Sequence, residues 1–167
     1  MTAARYEKLL CWLRANPVRC RCAWLLTKGL PVLFMVVYAG GGAWLLLRRD
    51  ERLWRFLLVP AAALGCCMLL RRLIDRPRPY EVYGFQPLIS RDKKGRSCPS
   101  NHTVSAFVIA LAFLHISLAA GAVLLVLAAM VGASRILSGV HWPGDAGAGL
   151  LLAIAVDALG ACFFSFF

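Results

Sequence analysis

Apolar residues occur along the chain in long blocks, and these blocks have the length of membrane-spanning helices. Residues 30–47 and about 54–73 are apolar runs near the ~20 residues that a helix needs to cross a bilayer. Residues 100–133 contain no Lys, Arg, Asp or Glu. At ~1.5 Å per residue they are long enough for two antiparallel spans that turn near residues 120–121. With a last span over about residues 145–167, the pattern predicts an all-α, polytopic membrane helix bundle of about five transmembrane helices.

A shorter amphipathic segment precedes these spans. One face of it carries apolar residues at helical spacing: Tyr6, Leu9, Leu10 and Leu13. Basic residues lie beside this face, so we expect residues 1–16 to form an interfacial helix that lies on the membrane and ends before Pro17. Pro31 is expected in the first turn of the next helix. No linker or repeat divides the chain, and we expect residues 1–167 to form a single integral membrane domain.

The composition indicates a membrane protein with an anionic partner. Hydrophobic residues make up 60% of the chain, and the 19 Lys and Arg outnumber the 8 Asp and Glu. The basic residues flank the apolar runs instead of forming a soluble basic face, which argues against a nucleic-acid partner. We expect contacts with an anionic lipid bilayer and a lipid phosphate substrate, and one basic run could gather such lipids: Arg91, Lys93, Lys94 and Arg96. The sequence leaves the oligomeric state open.

Three polar clusters interrupt the apolar pattern, at residues 71–79, 99–102 and 134–145. The first follows the second span, the second precedes the third span, and the third joins the fourth span to the fifth. Because spans three and four form a hairpin, all three clusters are predicted on the same side of the membrane. Polar groups at membrane depth usually mark function, so we expect a site assembled from residues 71–145.

The side chains in these clusters suit the chemistry of a phosphoryl group. Arg71, Arg78 and Arg135 supply planar forks of N–H donors that match phosphate oxygens. Ser100 and Asn101 fall where the third span begins, and the backbone N–H groups at a helix start bind anions. The cysteines and histidines show no metal-ligand spacing, so we expect no metal. We also expect no cofactor.

The third cluster also offers a nucleophile. His141 and Asp145 are four residues apart, so a turn can bring the carboxylate to one imidazole nitrogen and leave the other to attack. His102 comes from a different helix end and could donate a proton to a leaving oxygen. Each residue alone has a simpler explanation. Asp145 could cap a helix, and either histidine could be a polar side chain with a purely structural hydrogen bond. Their combination on one side favours catalysis.

These clusters resemble the signature of the type 2 phosphatidic acid phosphatase family, within the acid phosphatase and vanadium haloperoxidase superfamily. The family pattern is K-x6-R-P, P-S-G-H and S-R-x5-H-x3-D. The corresponding stretches of this chain are Arg71-x6-Arg78-Pro79, Pro99-Ser100-Asn101-His102 and Ser134-Arg135-x5-His141-x3-Asp145. Arg71 thus replaces the usual lysine. Asn101 replaces a glycine and adds a side chain where the family relies on close backbone approach to phosphate.

The resemblance implies a mechanism. His141 would attack phosphorus to form a phosphohistidine, Asp145 would orient it, and His102 would protonate the leaving group and later activate water. Five further residues would hold the phosphoryl oxygens: Arg71, Arg78, Ser100, Asn101 and Arg135. The family needs no metal, and its site faces the periplasm or the cell exterior.

The resemblance constrains the substrate less than the mechanism. Likeness to small bacterial members favours undecaprenyl pyrophosphate, with phosphatidate and phosphatidylglycerol phosphate as alternatives. A non-catalytic lipid-phosphate binder or transporter would need the arginines but not the nucleophile, and a purely structural membrane protein would need neither. Because a binder has no use for two histidines and an aspartate-oriented imidazole, the enzyme is the favoured interpretation.

Two other polar residues lie inside the apolar runs. His115 is 13 residues after His102, and Asp157 is 12 residues after Asp145, which places both about 18–20 Å from the plane of the clusters. We expect His115 and Asp157 to pair, because pairing reduces the cost of polar groups in a membrane. The alternative is that His115 simply reaches the opposite interface.

Overall fold

The computed structural model describes residues 1–89 and 94–165, and within these ranges the chain is helical with no strand. The helices are, in chain order, α1 (Ala3–Arg14), α2 (Pro17–Leu47), α3 (Leu53–Ile74), α4 (Pro79–Tyr83), α5 (Asn101–Leu114), α6 (Leu118–Leu137) and α7 (Pro143–Phe164). Helices α2, α3, α6 and α7 are long and apolar enough to cross a membrane, and α5 is a shorter apolar helix. The predicted all-α, multi-pass membrane bundle is confirmed.

Helix α2 begins much earlier than the apolar pattern predicted. Its 31 residues start at Pro17, and Pro31 lies inside the helix rather than in its first turn. The side-chain oxygen of Asn16 accepts hydrogen bonds from the N–H groups of Val18 and Arg19 at 2.8 and 3.3 Å. An asparagine cap followed by a proline favours a helix start. The prediction missed it because basic residues in the first turns excluded this segment from an uncharged run.

The turn between α5 and α6 lies at residues 115–117, not at the predicted 120–121. Ser117 caps α6, since its hydroxyl oxygen accepts a hydrogen bond from the N–H of Ala120 at 3.4 Å. Gly121 lies within α6, where an added Cβ atom would come within 2.7 Å of the Cα atom of Leu114. This glycine therefore permits close packing of two helices rather than a turn.

The N-terminal helix forms as predicted, but its apolar face contacts the protein instead of the lipid. Tyr6, Leu10 and Leu13 are buried. The ring of Tyr6 stacks on Phe85 with the centroids 5.2 Å apart and meets Trp142 edge-on at 6.1 Å. Aromatic side chains from two loops cover this face, and the position of the helix at the membrane interface stays a prediction. Helix α1 thereby becomes part of the bundle end that carries the polar clusters.

Helix α5 is the centre of the bundle, because it packs against α2, α3, α6 and α7. Small and β-branched side chains allow this close approach, and they are buried: Val104, Ala106, Val108, Ala110 and Ala112. The first residues of α5 therefore lie in the middle of one bundle end, among the loops that carry the other two polar clusters.

The predicted pair of His115 and Asp157 is confirmed at the opposite end of α5. The imidazole Nε2 of His115 lies 3.1 Å from a carboxylate oxygen of Asp157. Arg55 of α3 joins them, with its Nη2 2.5 Å from His115 Nε2 and 3.6 Å from a carboxylate oxygen of Asp157. The three side chains link α3, α5 and α7.

Candidate active site

The three polar clusters meet at one end of the bundle, as the count of spans predicted. The N–H of Ser97 donates to the carbonyl of Arg76 at 2.9 Å, which joins the segment before the second cluster to the first. The N–H of Ser100 donates to the carbonyl of Asp145 at 3.0 Å, which joins the second cluster to the third. Backbone hydrogen bonds therefore fix the relative positions of the clusters.

His141 and Asp145 form the buried centre of this site. The imidazole Nδ1 lies 3.5 Å from Asp145 Oδ2, and the two side chains are 1% and 0% exposed. The hydroxyl of Ser97 donates to the same carboxylate oxygen and lies 3.4 Å from Nδ1. The backbone N–H of Trp142 also donates to this oxygen, at 2.9 Å. Nδ1 thus faces the carboxylate, which leaves Nε2 as the nitrogen that can react.

The turn that begins α7 produces this spacing of four residues. Trp142 precedes the first residue of the helix, and Asp145 is the third helical residue, from which its side chain returns to the N–H of Trp142. Asp145 is therefore a helix cap as well as the partner of His141. Gly139 has a φ of 74°, and an added Cβ atom would lie 2.7 Å from Phe85, so the turn before His141 requires glycine.

Two neighbours of Asp145 were not predicted from the sequence, namely Arg76 and Ser97. Arg76 Nη1 lies 3.0 Å from Asp145 Oδ1, and its guanidinium lies 5.3 Å from the centre of the Trp142 ring. Arg76 lies inside the first cluster at one of its unspecified positions, and Ser97 is two positions before Pro99. They precede Asp145 by 69 and 48 residues, so no local pattern connects them to its carboxylate.

The N-terminal helix also reaches this site. The hydroxyl of Tyr6 donates to the backbone carbonyl of His141 at 3.1 Å. Burial, reinforced by the negative charge of Asp145, raises the pKa of Tyr6 to about 12. The phenol therefore keeps its proton at neutral pH, and α1 holds the loop that carries His141.

The protonation state of His141 follows from its surroundings. Burial lowers the pKa of His141 to about 4, although the hydrogen bond to Asp145 acts in the opposite direction. The positive charges of Arg78 and Arg71 lower it further. Because pH 7 is above this pKa, the imidazole is neutral and its outward nitrogen carries a lone pair. Such an imidazole can act as a nucleophile.

Arg71 and Arg78 line a basic cavity of about 610 Å³, and Arg78 contacts the loop that carries His141. Arg78 is 2% exposed, and it donates from Nε to the carbonyl of Gly95 at 3.1 Å and from Nη1 to the carbonyl of Val140 at 3.2 Å. Arg71 donates from Nη1 to the carbonyl of Pro99 at 3.4 Å. The other residues that line the cavity are Met68, Arg72, Asp75, Lys94, Gly95 and Arg96.

The basic cavity contains five Lys and Arg side chains and one acidic side chain, that of Asp75. Lys94 and Arg96 of the predicted basic run are among them, whereas Arg91 and Lys93 lie outside the described residues. This excess of positive charge suits a ligand with several negative charges.

Arg135 occupies a different position from the other two predicted phosphate-binding arginines. It is 2% exposed, and its Nη2 donates to the backbone carbonyl of Thr27 in α2 at 2.7 Å. Its own carbonyl accepts hydrogen bonds from the N–H groups of Val140 and His141, each at 3.3 Å. Arg135 therefore joins α2 to the loop that carries His141.

The start of α5 supplies the remaining predicted residues. Ser100 is the N-cap residue of α5, and its buried hydroxyl oxygen accepts a hydrogen bond from the hydroxyl of Thr103 at 2.9 Å. The side-chain oxygen of Asn101 is buried, with no hydrogen-bond partner in the described part of the chain.

Asn101 and His102 line a second, apolar cavity of about 340 Å³ between α2 and α5. Its other lining residues are Pro31, Val32, Phe34, Met35, Val36, Ser105, Ala106 and Ile109. The structure therefore places His102 at the α2 side of the site, whereas the basic cavity lies at the end of α3. Within residues 1–89 and 94–165, no group of three His, Cys, Asp or Glu side chains is placed to hold a metal ion.

Comparison with known proteins identifies relatives of this chain. The family model of the PAP2 superfamily matches residues 52–166. The Escherichia coli (strain K12) protein YbjG, provisionally named an undecaprenyl-diphosphatase, is 33% identical over 124 residues. The match covers 72% of this chain and 59% of the relative, so the chain spans about three fifths of the length of that curated relative.

Two crystal structures share the fold. LpxE of Aquifex aeolicus superposes with a TM-score of 0.64 at 25% identity, over 84% of this chain and 93% of that protein. A transmembrane PAP2-type phosphatidylglycerolphosphate phosphatase of Bacillus subtilis superposes with a TM-score of 0.63 at 22% identity, over 97% of this chain and 93% of that protein. The second likeness concerns the fold alone.

Proposed function

Because the chain belongs to the PAP2 superfamily, we propose that it is a metal-independent membrane lipid phosphatase that works through a phosphohistidine on His141. One observation carries this proposal. A buried, neutral imidazole faces the carboxylate of Asp145 beside a cavity with five cationic side chains, at one end of a bundle of membrane-spanning helices. Phosphoryl transfer needs a nucleophile, an acid and stabilisation of negative charge, and the site offers candidates for each.

The reaction proceeds in two displacements at phosphorus. Nε2 of His141 attacks, a P–N bond forms, and the P–O bond to the leaving group breaks while His102 gives that oxygen a proton. Water then attacks the phosphohistidine, and His102 takes a proton from the water. The P–N bond breaks, inorganic phosphate leaves, and both histidines return to their starting states. Asp145 holds Nδ1 throughout and stabilises the positive charge that develops on the ring.

The phosphoryl oxygens are held by groups from three helix ends. Arg71 and Arg78 reach them from the basic cavity, and Arg135 reaches them from the end of α6. Ser100 and Asn101 contribute the start of α5, where backbone N–H groups bind anions. Arginine and backbone donors stabilise the charge of the transition state without a metal ion.

The apolar cavity supports a lipid substrate. His102 forms its polar end, and Ile109 lies seven residues further along α5, about 10 Å deeper at ~1.5 Å per residue. Val32 and Val36 line the cavity from α2 and are 62% and 63% exposed, so the cavity is open toward the lipid. We therefore place the hydrocarbon chain of the substrate here, with the bond to be broken beside His102.

Undecaprenyl pyrophosphate is the substrate that we favour. The similar Escherichia coli protein is provisionally named an undecaprenyl-diphosphatase. The excess of cationic side chains in the basic cavity also suits a pyrophosphate better than a phosphate monoester. Phosphatidate and phosphatidylglycerol phosphate are the alternative substrates. Binding of a lipid phosphate without hydrolysis is the alternative function.

Purified protein in detergent is expected to release phosphate faster from undecaprenyl pyrophosphate than from the two alternative lipids, and EDTA should not change the rates. Inhibition by EDTA would contradict metal independence. Binding of a lipid without release of phosphate would favour the non-catalytic binder.

Val36→Trp should raise KM for long-chain lipids by filling the apolar cavity. Leu33→Trp, which adds the same ring to α2 outside the cavity lining, is the matched control. Equal effects of the two tryptophans on KM would contradict the placement of the hydrocarbon chain.

The site is proposed to face the periplasm or the cell exterior. The basic loop between α2 and α3 lies at the opposite end of the bundle and would be cytoplasmic, in agreement with the positive-inside rule. The basic residues of α1 lie at the site end and oppose this orientation.

The orientation can be tested at Cys11 of α1, which is exposed. A variant that keeps only Cys11 should react with a membrane-impermeant maleimide in intact cells, and labelling only after lysis would reverse the orientation.

A further inference from the structure

Pro31 removes a hydrogen-bond donor from the middle of α2. A proline has no backbone N–H, so residue 31 cannot donate to the carbonyl of Thr27, four positions earlier. Thr27 is 1% exposed. Because buried carbonyl groups are almost always paired, this one requires a partner from outside the helical ladder.

Arg135 supplies that partner. Its Nη2 donates to the carbonyl of Thr27 at 2.7 Å, a distance typical of a hydrogen bond from a charged group. The hydroxyl of Thr27 is engaged elsewhere, with the carbonyl of Ala23 at 2.7 Å. The contact therefore falls on the one backbone carbonyl whose α-helical donor is missing because of Pro31.

The same arginine is connected to the site in two ways. Its side chain is one of the groups proposed to bind the phosphoryl oxygens, and its carbonyl accepts the N–H groups of Val140 and His141. A guanidinium carries five N–H donors, so anchoring one of them to Thr27 is compatible with binding phosphate through others. A displaced guanidinium would alter the clamp on the phosphoryl group.

We propose that Pro31 is a positioning residue for this reaction. By withholding a donor from the carbonyl of Thr27, it creates the anchor on α2 that holds the guanidinium of Arg135 at the site. The inference rests on the proposed function, because that function gives Arg135 its role at the phosphoryl group. It adds a residue that lies outside all three recognised motifs and acts from a different helix.

Pro31 also lines the apolar cavity, so the test has to separate two routes of action. An effect through the cavity would raise KM for long-chain lipids and would persist whatever residue occupies position 135. An effect through the anchor would lower kcat/KM for every lipid and would depend on Arg135.

The first test is a double-mutant cycle in kcat/KM. Pro31→Ala restores an N–H that competes for the carbonyl of Thr27, and we expect kcat/KM to fall by about 10- to 100-fold. Arg135→Lys should also lower it, and the double variant should be close to Arg135→Lys alone, because both changes act through one guanidinium. Pro60→Ala, which removes a proline inside α3, is the control and should combine additively. Additive losses for Pro31→Ala and Arg135→Lys would overturn the inference.

The second test does not depend on activity. In the wild type, Arg135→Met leaves the carbonyl of Thr27 buried without its partner, whereas in Pro31→Ala the restored N–H can pair with it. Arg135→Met should therefore lower the free energy of unfolding more in the wild type than in Pro31→Ala. Equal losses in the two backgrounds would overturn the anchor. If wild-type protein released phosphate from no lipid, the proposed function would fail, and this comparison would still decide the inference.

Discussion

Replacing His141 by alanine is expected to reduce phosphate release by about 10⁴-fold or more, the scale on which enzymes lose activity with their nucleophile. The expectation follows from the position of the imidazole, which is buried, neutral at pH 7 and turned toward Asp145 by its Nδ1. No alanine side chain can form the covalent intermediate. The measurement is the initial rate of phosphate release from undecaprenyl pyrophosphate in detergent, with EDTA present.

The chain provides a matched control for this variant. His115 lies at the opposite end of α5, paired with Asp157 and Arg55. His115→Ala removes the same side chain and should retain most of the activity, because it touches no group of the site. A rate close to that of the wild type in His141→Ala would contradict the assignment of the nucleophile.

The second large effect is expected for Asp145→Asn, which should lower kcat by about 10²- to 10⁴-fold. The carboxylate accepts hydrogen bonds from the hydroxyl of Ser97 and the N–H of Trp142 while it faces Nδ1 of His141. An amide has the same size but loses the charge that stabilises the imidazolium formed on attack. It also presents an NH2 group where the site needs an acceptor, which disfavours the required tautomer of His141.

Arg76→Gln is the matched comparison for this variant, since it removes the ion pair to Asp145 and leaves the carboxylate in place. The side chain of Arg76 is 43% exposed, whereas that of Asp145 is 0% exposed and keeps its hydrogen bonds from the hydroxyl of Ser97 and the N–H of Trp142 when the guanidinium is removed. The loss of kcat should therefore stay below about tenfold. Equal losses in the two variants would mean that Asp145 acts through its pair with Arg76 rather than through His141.

The parts of the structure that the sequence predicted depend on helix counting and on short spacings. Three polar clusters placed at successive span ends had to meet on one side, and the structure brings them together. The pairing of His115 with Asp157 followed from nearly equal distances along two helices that start at the same level. Asp145 and His141 meet because four residues make one turn. Each of these predictions needs only the rise of a helix and the order of the elements.

The parts that the sequence did not predict are contacts between distant segments. The pair of Arg76 with Asp145 and that of Ser97 with Asp145 leave no local pattern, because residues far apart in the chain meet only after the helices have packed. The contact of Arg135 with Thr27 is of the same kind, and it depends on a proline that the sequence analysis placed in a first turn.

The predicted positions of two helix ends were wrong for a different physical reason. A search for uncharged runs begins α2 near residue 30, because arginines and a lysine occupy its first turns, although long basic side chains can extend toward water from an apolar helix. Glycine at position 121 is typical of a turn, yet here it allows α6 to approach Leu114. The same residue type serves both purposes, and only the packing distinguishes them.

The most direct test of the account is to trap the covalent intermediate. Lipid pyrophosphate labelled with ³²P in its terminal phosphate is mixed with the protein and quenched with alkali, and the labelled peptide is identified by mass spectrometry. Attack by His141 predicts an acid-labile phosphate on His141 that is absent from His141→Ala. Label on another residue, or full turnover with no labelled protein at any quench time, would contradict it.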